Sequence, residues 1–296
     1  MRSLIINADG YGFTQGISRA IEECIEFGTV RSLSANVNFE YAGGLADLVR
    51  RFPHLSVGCH INPVVGKPLL DPAEVPSLLN EKGEFLYKDF SRHVMAGQIR
   101  MDELRAEMTA QVRKTRELAG AAFSHVDFHM GLHRLPQVYR SFLDVAEKSG
   151  VGRIRTHRYL MGMESRSPML RHMVHMFESP TRIPKYAWNL WLRSRALKRG
   201  LAMPDRWVGI TNMADDRARI TVPNYLKMLG NLPQGFSEFV AHPGYIDEDL
   251  LRWSTYHDQR LRELRVLLSE EFRLALSSSD VQLAGYRDIP LRGRFS

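Results

Sequence analysis

Four apolar runs in this chain each carry, at or near their C-terminal end, a residue able to bind a metal or move a proton. These are Asp9 after Ser3–Ala8, His60 in Leu55–Asn62, His129 in Phe123–Met130 and His242 in Phe236–His242. One such residue alone reads as structural, since an Asp after a strand commonly caps a loop and a strand-end His commonly hydrogen-bonds. Four of them, each ending a different strand, exceed what capping explains. Imidazole with carboxylate is a common ligand set for Zn, Mn, Fe, Co or Ni. A further histidine at another strand end suits a general acid.

The elements that must position these groups alternate along nearly the whole length. Expected strands are Ser3–Asp9, Val30–Asn38, Leu55–Asn62, Phe123–Met130, Arg153–His157, Trp207–Asn212, Phe236–His242 and Val281–Tyr286. Expected helices include Gly16–Phe27, Ala42–Arg51, Met101–Leu118, Pro136–Lys148, Pro223–Leu229 and His257–Leu276. Such repetition implies a parallel sheet covered by helices, and eight strands fit one (β/α) barrel. A doubly wound open sheet is the alternative, but its phosphate-binding glycine fingerprint is missing. Strand residues alternate faces, so His125, Asp127 and His129 share one side, as do Gly58, His60 and Asn62, and Asn7 and Asp9. The polar side gathers at the C-terminal strand ends, where a barrel keeps its active site. Asn38, Arg155 and Asn212 are expected there too.

Composition is that of a globular protein: 296 residues, 44% hydrophobic, 25% charged, 22 Gly, 14 Pro and 2 Cys. Collagenous, disordered and disulfide-scaffold classes are excluded. Cys24 and Cys59 form no CxxC motif, so a reduced, cytoplasmic protein is the default. The N-terminal apolar stretch stops at Asn7, too short for a signal-peptide core, and no apolar run approaches the roughly 18 residues that span a bilayer.

The strings around the four groups are NADGYG (Asn7–Gly12), GCHINPVVGKPL (Gly58–Leu69), HVDFHMGLH (His125–His133) and AHPGY (Ala241–Tyr245). Together, in this order, they resemble the YdjC-like (ChbG/HpnK) carbohydrate deacetylase family, whose usual strings are close to NADDFG, GLHxN, HxDSHxHxH and CHPG. The resemblance implies a distorted TIM-like barrel related to NodB-type polysaccharide deacetylases, and metal-dependent removal of an N-acetyl group from an amino sugar or glycan. It implies Asp9 as the base that activates water, His60 and His129 as ligands of a divalent ion such as Mg or Zn, and His242 as the acid that protonates the departing amine. Asp127 would fix an imidazole tautomer, with His125, His133, Asn62 and Arg155 as supporting or substrate-binding residues.

Two departures stand out. The family's second acid, normally a metal ligand, is Gly10 here, and Gly131 replaces the middle histidine of HxDSHxHxH. Three outcomes follow for Gly10: Asp9 swings onto the metal, water completes a weaker site, or catalysis is lost and a glycan-binding cleft remains. A metallophosphoesterase on a similar barrel is a further alternative, but the extra carboxylates of a two-metal site are missing.

The net charge of +7 is local. The window Arg171–Arg206 holds eight Lys/Arg against Glu178 and Asp205 and carries +6, leaving +1 on the other 260 residues. This window lies in a stretch of about 159–206, longer than a barrel connection needs, with Met161, Met163, Met169, Met173, Met176, Phe177, Tyr186, Trp188 and Trp191 among its residues. It reads either as a helical excursion packed on the barrel or as a lid or arm that touches a membrane surface. The second reading predicts a lipid-linked amino sugar substrate and a peripheral position at the inner membrane face. Nucleic acid is not expected, since no reading module accompanies the charge; a homodimer is allowed.

Overall fold

The computed structural model describes residues 1–295. In chain order the elements are β1 (Arg2–Tyr11), α1 (Gln15–Glu26), β2 (Ser32–Ala35), α2 (Leu45–Arg51), β3 (Ser56–Ile61), α3 (Phe90–Met95) and α4 (Met101–Ala119). They continue with β4 (Phe123–Phe128), α5 (Pro136–Lys148), β5 (Tyr159–Met161), α6 (Pro168–Phe177), α7 (Arg182–Lys198) and β6 (Arg206–Gly209). The last are α8 (Val222–Gly230), β7 (Gly235–Ala241), α9 (Glu248–Trp253), α10 (Asp258–Leu267), α11 (Glu270–Ser278) and β8 (Val281–Ala284).

All pairings between these strands are parallel, in the order β4-β3-β2-β1-β7-β6-β5. One edge of β1 is shared: β8 pairs its first half (Arg2–Ile5) and β2 its second (Asn7–Tyr11). The barrel is therefore closed irregularly. Between β4 and β6 the gap is spanned by single bridges, Val126 to Ile154 and Arg153 to Ala202.

Here the structure corrects the expected strand Arg153–His157, whose residues are held by those bridges alone, while the true strand follows at Tyr159–Met161. Within this stretch Arg155 turns inward onto buried carboxylates while Ile154 joins the core. The expected helix His257–Leu276 is two helices, because Ser269 caps α11 by accepting from Phe272 N at 3.3 Å. The long stretch after β5 forms α6 and α7.

Alternation along β1 divides the core into two layers. Leu4, Ile6 and Ala8 pack outward against the helices, where α1 supplies Ile17, Ile21 and Cys24 from one stripe. Ile5 points inward and joins Ala202, Ala284, Tyr286 and Ile289, a small apolar plug that fills the N-terminal end of the barrel. Above Ile5 on the same face come Asn7 and Asp9, so the interior changes from apolar to charged along one strand. No described helix is long and apolar enough to cross a membrane. Cys24 and Cys59 are both buried and unpaired.

Candidate active site

The polar upper layer is built from facing positions on successive strands. Register places Asp9 beside Ser34, Ser34 beside Gly58, Gly58 beside His125, and His60 beside Asp127. Gly58 is needed there: a Cβ at this position would lie 2.3 Å from His125 Nε2. His125 fills the space and stacks on Tyr286 at 3.6 Å between ring centroids. It is fully buried, with Nε2 3.2 Å from Ser34 Oγ, so it supports the cluster from below and does not reach the mouth.

Arg155 is the hub. Its Nη1 and Nη2 each donate to an oxygen of Asp9 at 2.7 Å, its Nη2 lies 2.6 Å from Asp127 Oδ2, and its Nε donates to Glu238 Oε1 at 2.8 Å. Asn7 Nδ2 adds a bond to Asp9 Oδ1 at 2.7 Å, and Ser34 Oγ donates to Asp127 Oδ2 at 2.9 Å. Burial disfavours charge on both aspartates, but Arg155 and His60 outweigh it and hold both below the usual carboxylate range. Glu238 shares Arg155 with two stronger claimants, and burial pushes it up to about 7. Arg155, placed from the sequence near the substrate, is thus spent on three carboxylates of the protein.

Asp127 Oδ1 meets not His129, on its own face, but Nδ1 of His60 on the neighbouring strand, at 2.9 Å, which turns His60 Nε2 toward the mouth. His60 Nε2 is then 3.3 Å from His129 Nδ1 and 3.9 Å from Asp9 Oδ2. Burial works against a charged His60, yet Asp127 and Asp9 raise its pKa. His129 leaves β4 through a left-handed turn at Met130 (φ 55°) and Gly131 (φ 64°), and its ring lies edge-on to His60 and over Phe13. Burial, with the charges of His60 and Arg260, depresses His129 to about 3, so it is a neutral imidazole with a free lone pair.

Asp9, His60 and Asp127 form a buried trio whose ligand atoms lie within 4.8 Å of one another. The separation of His60 Nε2 and His129 Nδ1 is itself informative. Two nitrogens bound tetrahedrally to one ion at ~2.0–2.1 Å stand roughly 3.3–3.4 Å apart, the spacing found here. The two imidazoles and Asp9 are the donors that would hold a divalent ion there, with His129 outside the compact trio and in hydrogen-bond contact with His60.

His242 follows β7, a third exposed at the mouth, with its backbone N donating to Glu263 Oε2 at 2.8 Å. Its Nδ1 has no hydrogen-bond partner among the described residues, and burial, with Arg260 and Arg155 adding to it, lowers its pKa to about 3. Glu263, on α10, also accepts from Tyr256 OH at 2.7 Å, and burial pushes it up to about 7.

Two expected residues serve elsewhere. His133 is buried with its Nε2 3.0 Å from His157 Nε2, against Tyr139 and Phe142. Asn62 is also buried and closes a turn, accepting from Val64 N at 3.2 Å and Val65 N at 3.0 Å. Sequence reasoning missed Ser34, Glu238, Arg260 and Glu263. Ser34 and Glu238 had a signal, a polar residue inside an expected strand, the latter on the same face as His242. Arg260 and Glu263, three apart on a charged helix, had none.

Five of the eight basic residues of the Arg171–Arg206 window are engaged by the protein itself. Arg171 and Arg182 pair with Glu178, Arg199 with Asp144 and Glu147, Arg193 bonds Thr156 and Pro204, and Arg206 bonds Gln234 O. The residue of interest on this excursion is its apolar face. On α6, Met169, Leu170, Met173, Val174 and Phe177 are 45–74% exposed, while only His172 and Met176 are buried.

The sequence profile described as YdjC-like protein matches residues 3–278. Similar proteins include a carbohydrate deacetylase of Thermoanaerobacter pseudethanolicus, 27% identical over 97% of this chain and 98% of the relative. A chitooligosaccharide deacetylase of Proteus mirabilis is 28% identical with the same coverage, and a mouse carbohydrate deacetylase is 30% identical over 97% of this chain and 94% of its own. Among solved structures, an Enterococcus faecalis protein described as a candidate for cellobiose-phosphate cleavage superposes with a TM-score of 0.71 at 25% identity, covering 96% of this chain and 97% of that one. The match runs through all four strings that carry the site, and the chain belongs to the YdjC-like family.

Proposed function

We infer that this protein is a carbohydrate N-deacetylase, a hydrolase that removes an N-acetyl group from an amino sugar with the help of a divalent metal ion. The observation that carries the reading is the convergence of Asp9, His60, Asp127, His129 and His242 at the C-terminal mouth of the barrel, in a chain whose full-length relatives bear deacetylase names.

Amide hydrolysis needs a polarised carbonyl, an activated water and a proton for the amine. A divalent ion on His60 and His129 would supply the first and lower the pKa of water. Asp127 keeps the His60 lone pair aimed at the mouth. Asp9, fixed by Arg155 and Asn7, accepts the water proton on Oδ2, which keeps a lone pair besides the one given to Arg155, whereas Oδ1 is taken by both Arg155 and Asn7. His242, a third exposed at the mouth, is neutral at rest, so it would take up a proton, from Asp9 or solvent, before passing it to the leaving amine. Each such proton transfer typically contributes roughly 10²–10⁴-fold.

One observation favours a second reading, a glycan-binding relative that no longer hydrolyses: residue 10 is glycine and brings no carboxylate to the imidazoles. Retention of Asp9, His60, His129 and His242 together favours the enzyme.

The substrate we propose is an amino sugar carried on a lipid. The segment after the C-terminal end of β5 leads into α6, which turns its apolar face to solvent. The next helix, α7, carries exposed Lys185, Arg195 and Lys198. An exposed apolar helix face followed by a basic helix suits a peripheral contact with an anionic membrane.

The test is proton NMR of free acetate, with N-acetylglucosamine, short chito-oligosaccharides and a lipid-linked N-acetylglucosamine as substrates, each with and without chelator. The reading predicts chelator-sensitive acetate from at least one. Substrate binding without acetate release under any divalent ion would favour the silent binder.

A further inference from the structure

Arg260 of α10 is 7% exposed, yet its Nε and Nη1 have no hydrogen-bond partner among the described residues. A buried, uncompensated guanidinium is costly, and structures rarely keep one unless something pairs with it. The nearest acid on its own helix does not serve. Glu263 gives one oxygen to the backbone N of His242 and the other to the hydroxyl of Tyr256.

Of these two nitrogens, Nη1 lies toward residue 10. A Cβ built on Gly10 would meet Ile17 Cγ2 at 3.6 Å and both Arg260 Nη1 and Asn36 Oδ1 at 3.9 Å, ordinary contact distances that leave room for a carbon atom. At φ +108° this backbone is one that side chains rarely adopt, so residue 10 itself does not readily provide the missing group. Asn36 is buried with its Nδ2 donating to His60 O at 3.1 Å, which leaves its Oδ1 turned to the same space, also unpartnered. Arg260 lies close enough to Asp9, His129 and His242 for its charge to act on all three.

We propose that Arg260 Nη1, beside Gly10 and Asn36, is an anion-binding subsite of the cleft that takes a carboxylate oxygen. Nη1 offers a charge-assisted N–H to one carboxylate oxygen, from a planar group whose direction a flexible ammonium does not reproduce. Asn36 Oδ1 accepts from a water or hydroxyl that accompanies the anion. A methylene and a carboxylate placed before Gly10 have the size of acetate, the ion that deacetylation releases. The carboxylate of an N-acetylated sugar acid offers the same chemistry. The acetate assignment rests on the deacetylase reading; the anion site does not.

The experiment is thermal unfolding of wild type, Arg260→Gln and Arg260→Lys in sodium acetate against sodium chloride at equal ionic strength. A parallel arm compares N-acetylmuramic acid with uncharged N-acetylglucosamine. At about ten times Kd, acetate is expected to raise the wild-type Tm by roughly 2–5 °C over chloride. The rise should shrink in Arg260→Lys and vanish in Arg260→Gln. Because Arg260 bonds no described residue through these atoms, both variants should fold, with native circular dichroism as the check. Stabilisation by acetate identifies the product as the occupant, and Arg260-dependent stabilisation by the sugar acid alone identifies a substrate carboxylate. No effect of either carboxylate on wild type, or an equal effect in Arg260→Gln, overturns the proposal. Binding is read without turnover, so failure here is separate from failure of deacetylation.

Discussion

Replacing Arg155 with methionine tests the electrostatic scheme of the site. The guanidinium is 16% exposed and contacts three carboxylates that are at most 5% exposed, those of Asp9, Asp127 and Glu238. Removing one partner from a buried ion pair costs about 3–5 kcal/mol, and three carboxylates lose their counterion at once, so a loss at the upper end is expected at pH 8. The pH dependence is diagnostic. In wild type, Asp9 and Asp127 have depressed pKa values, so their contribution is present above the unfolded value of roughly 4 and is lost as pH falls below it. Without Arg155, burial dominates and raises both. Their contribution is then greatest at low pH and is lost as pH rises through the new values. Urea unfolding of both proteins at pH 5 and pH 8 reads the difference. The penalty should grow with pH, and a variant that fails to fold at pH 8 should recover at pH 5. A loss below ~1 kcal/mol at pH 8, or one equal at the two pH values, would refute the hub role of Arg155.

Three further outcomes follow. Glu263 is fully buried with its pKa raised from 4.5 to about 7, so its contribution is present below 4.5 and is lost as pH rises through 7. Glu263→Gln should therefore gain on wild type by up to about 3 kcal/mol between pH 5 and pH 8 in urea titrations; a pH-independent difference would count against this. Gly58→Ala puts a methyl 2.3 Å from His125 Nε2, and displacement of that ring should cost about 1–3 kcal/mol; a neutral effect on Tm would show that His125 is not wedged. On α6, Phe177→Asp with Met173→Asp should abolish sedimentation with vesicles containing phosphatidylglycerol while leaving Tm near wild type, since both residues are more than half exposed. Undiminished sedimentation would remove the membrane contact from the account.

Much of this site was legible in sequence because β-strand parity is a local property. Once His125, Asp127 and His129 are placed on one strand, their common face follows, and the apolar runs fix where the strands end. The partner of Asp127 was not legible in this way: parity puts Asp127 on the face of His129, whereas its carboxylate meets His60 of the neighbouring strand. Arg155 was harder. Its neighbourhood alternates as a strand should and Arg155 does turn inward, but only single bridges hold the stretch, at Val126 and Ala202, and parity does not tell that three buried carboxylates from other strands meet it there. The long-range partners of His242 come from α10, more than 15 residues away, and helical periodicity does not tell which charged face turns inward. The +7 charge misled in another way. Arg171, Arg182, Arg193, Arg199 and Arg206 look like one basic surface in sequence, yet folding spends them on nearby acids, hydroxyls and carbonyls. What marks the excursion is the apolar face of α6.

The central claim is that His60 and His129 hold a divalent ion needed for deacetylation, although residue 10 is glycine. The direct measurement is acetate release by chelator-stripped protein on restoring divalent ions, in wild type and in His129→Ala. The account predicts that stripping abolishes release, that at least one ion restores it in wild type, and that none restores it in His129→Ala. Release that survives stripping, or equal restoration in His129→Ala, would contradict it.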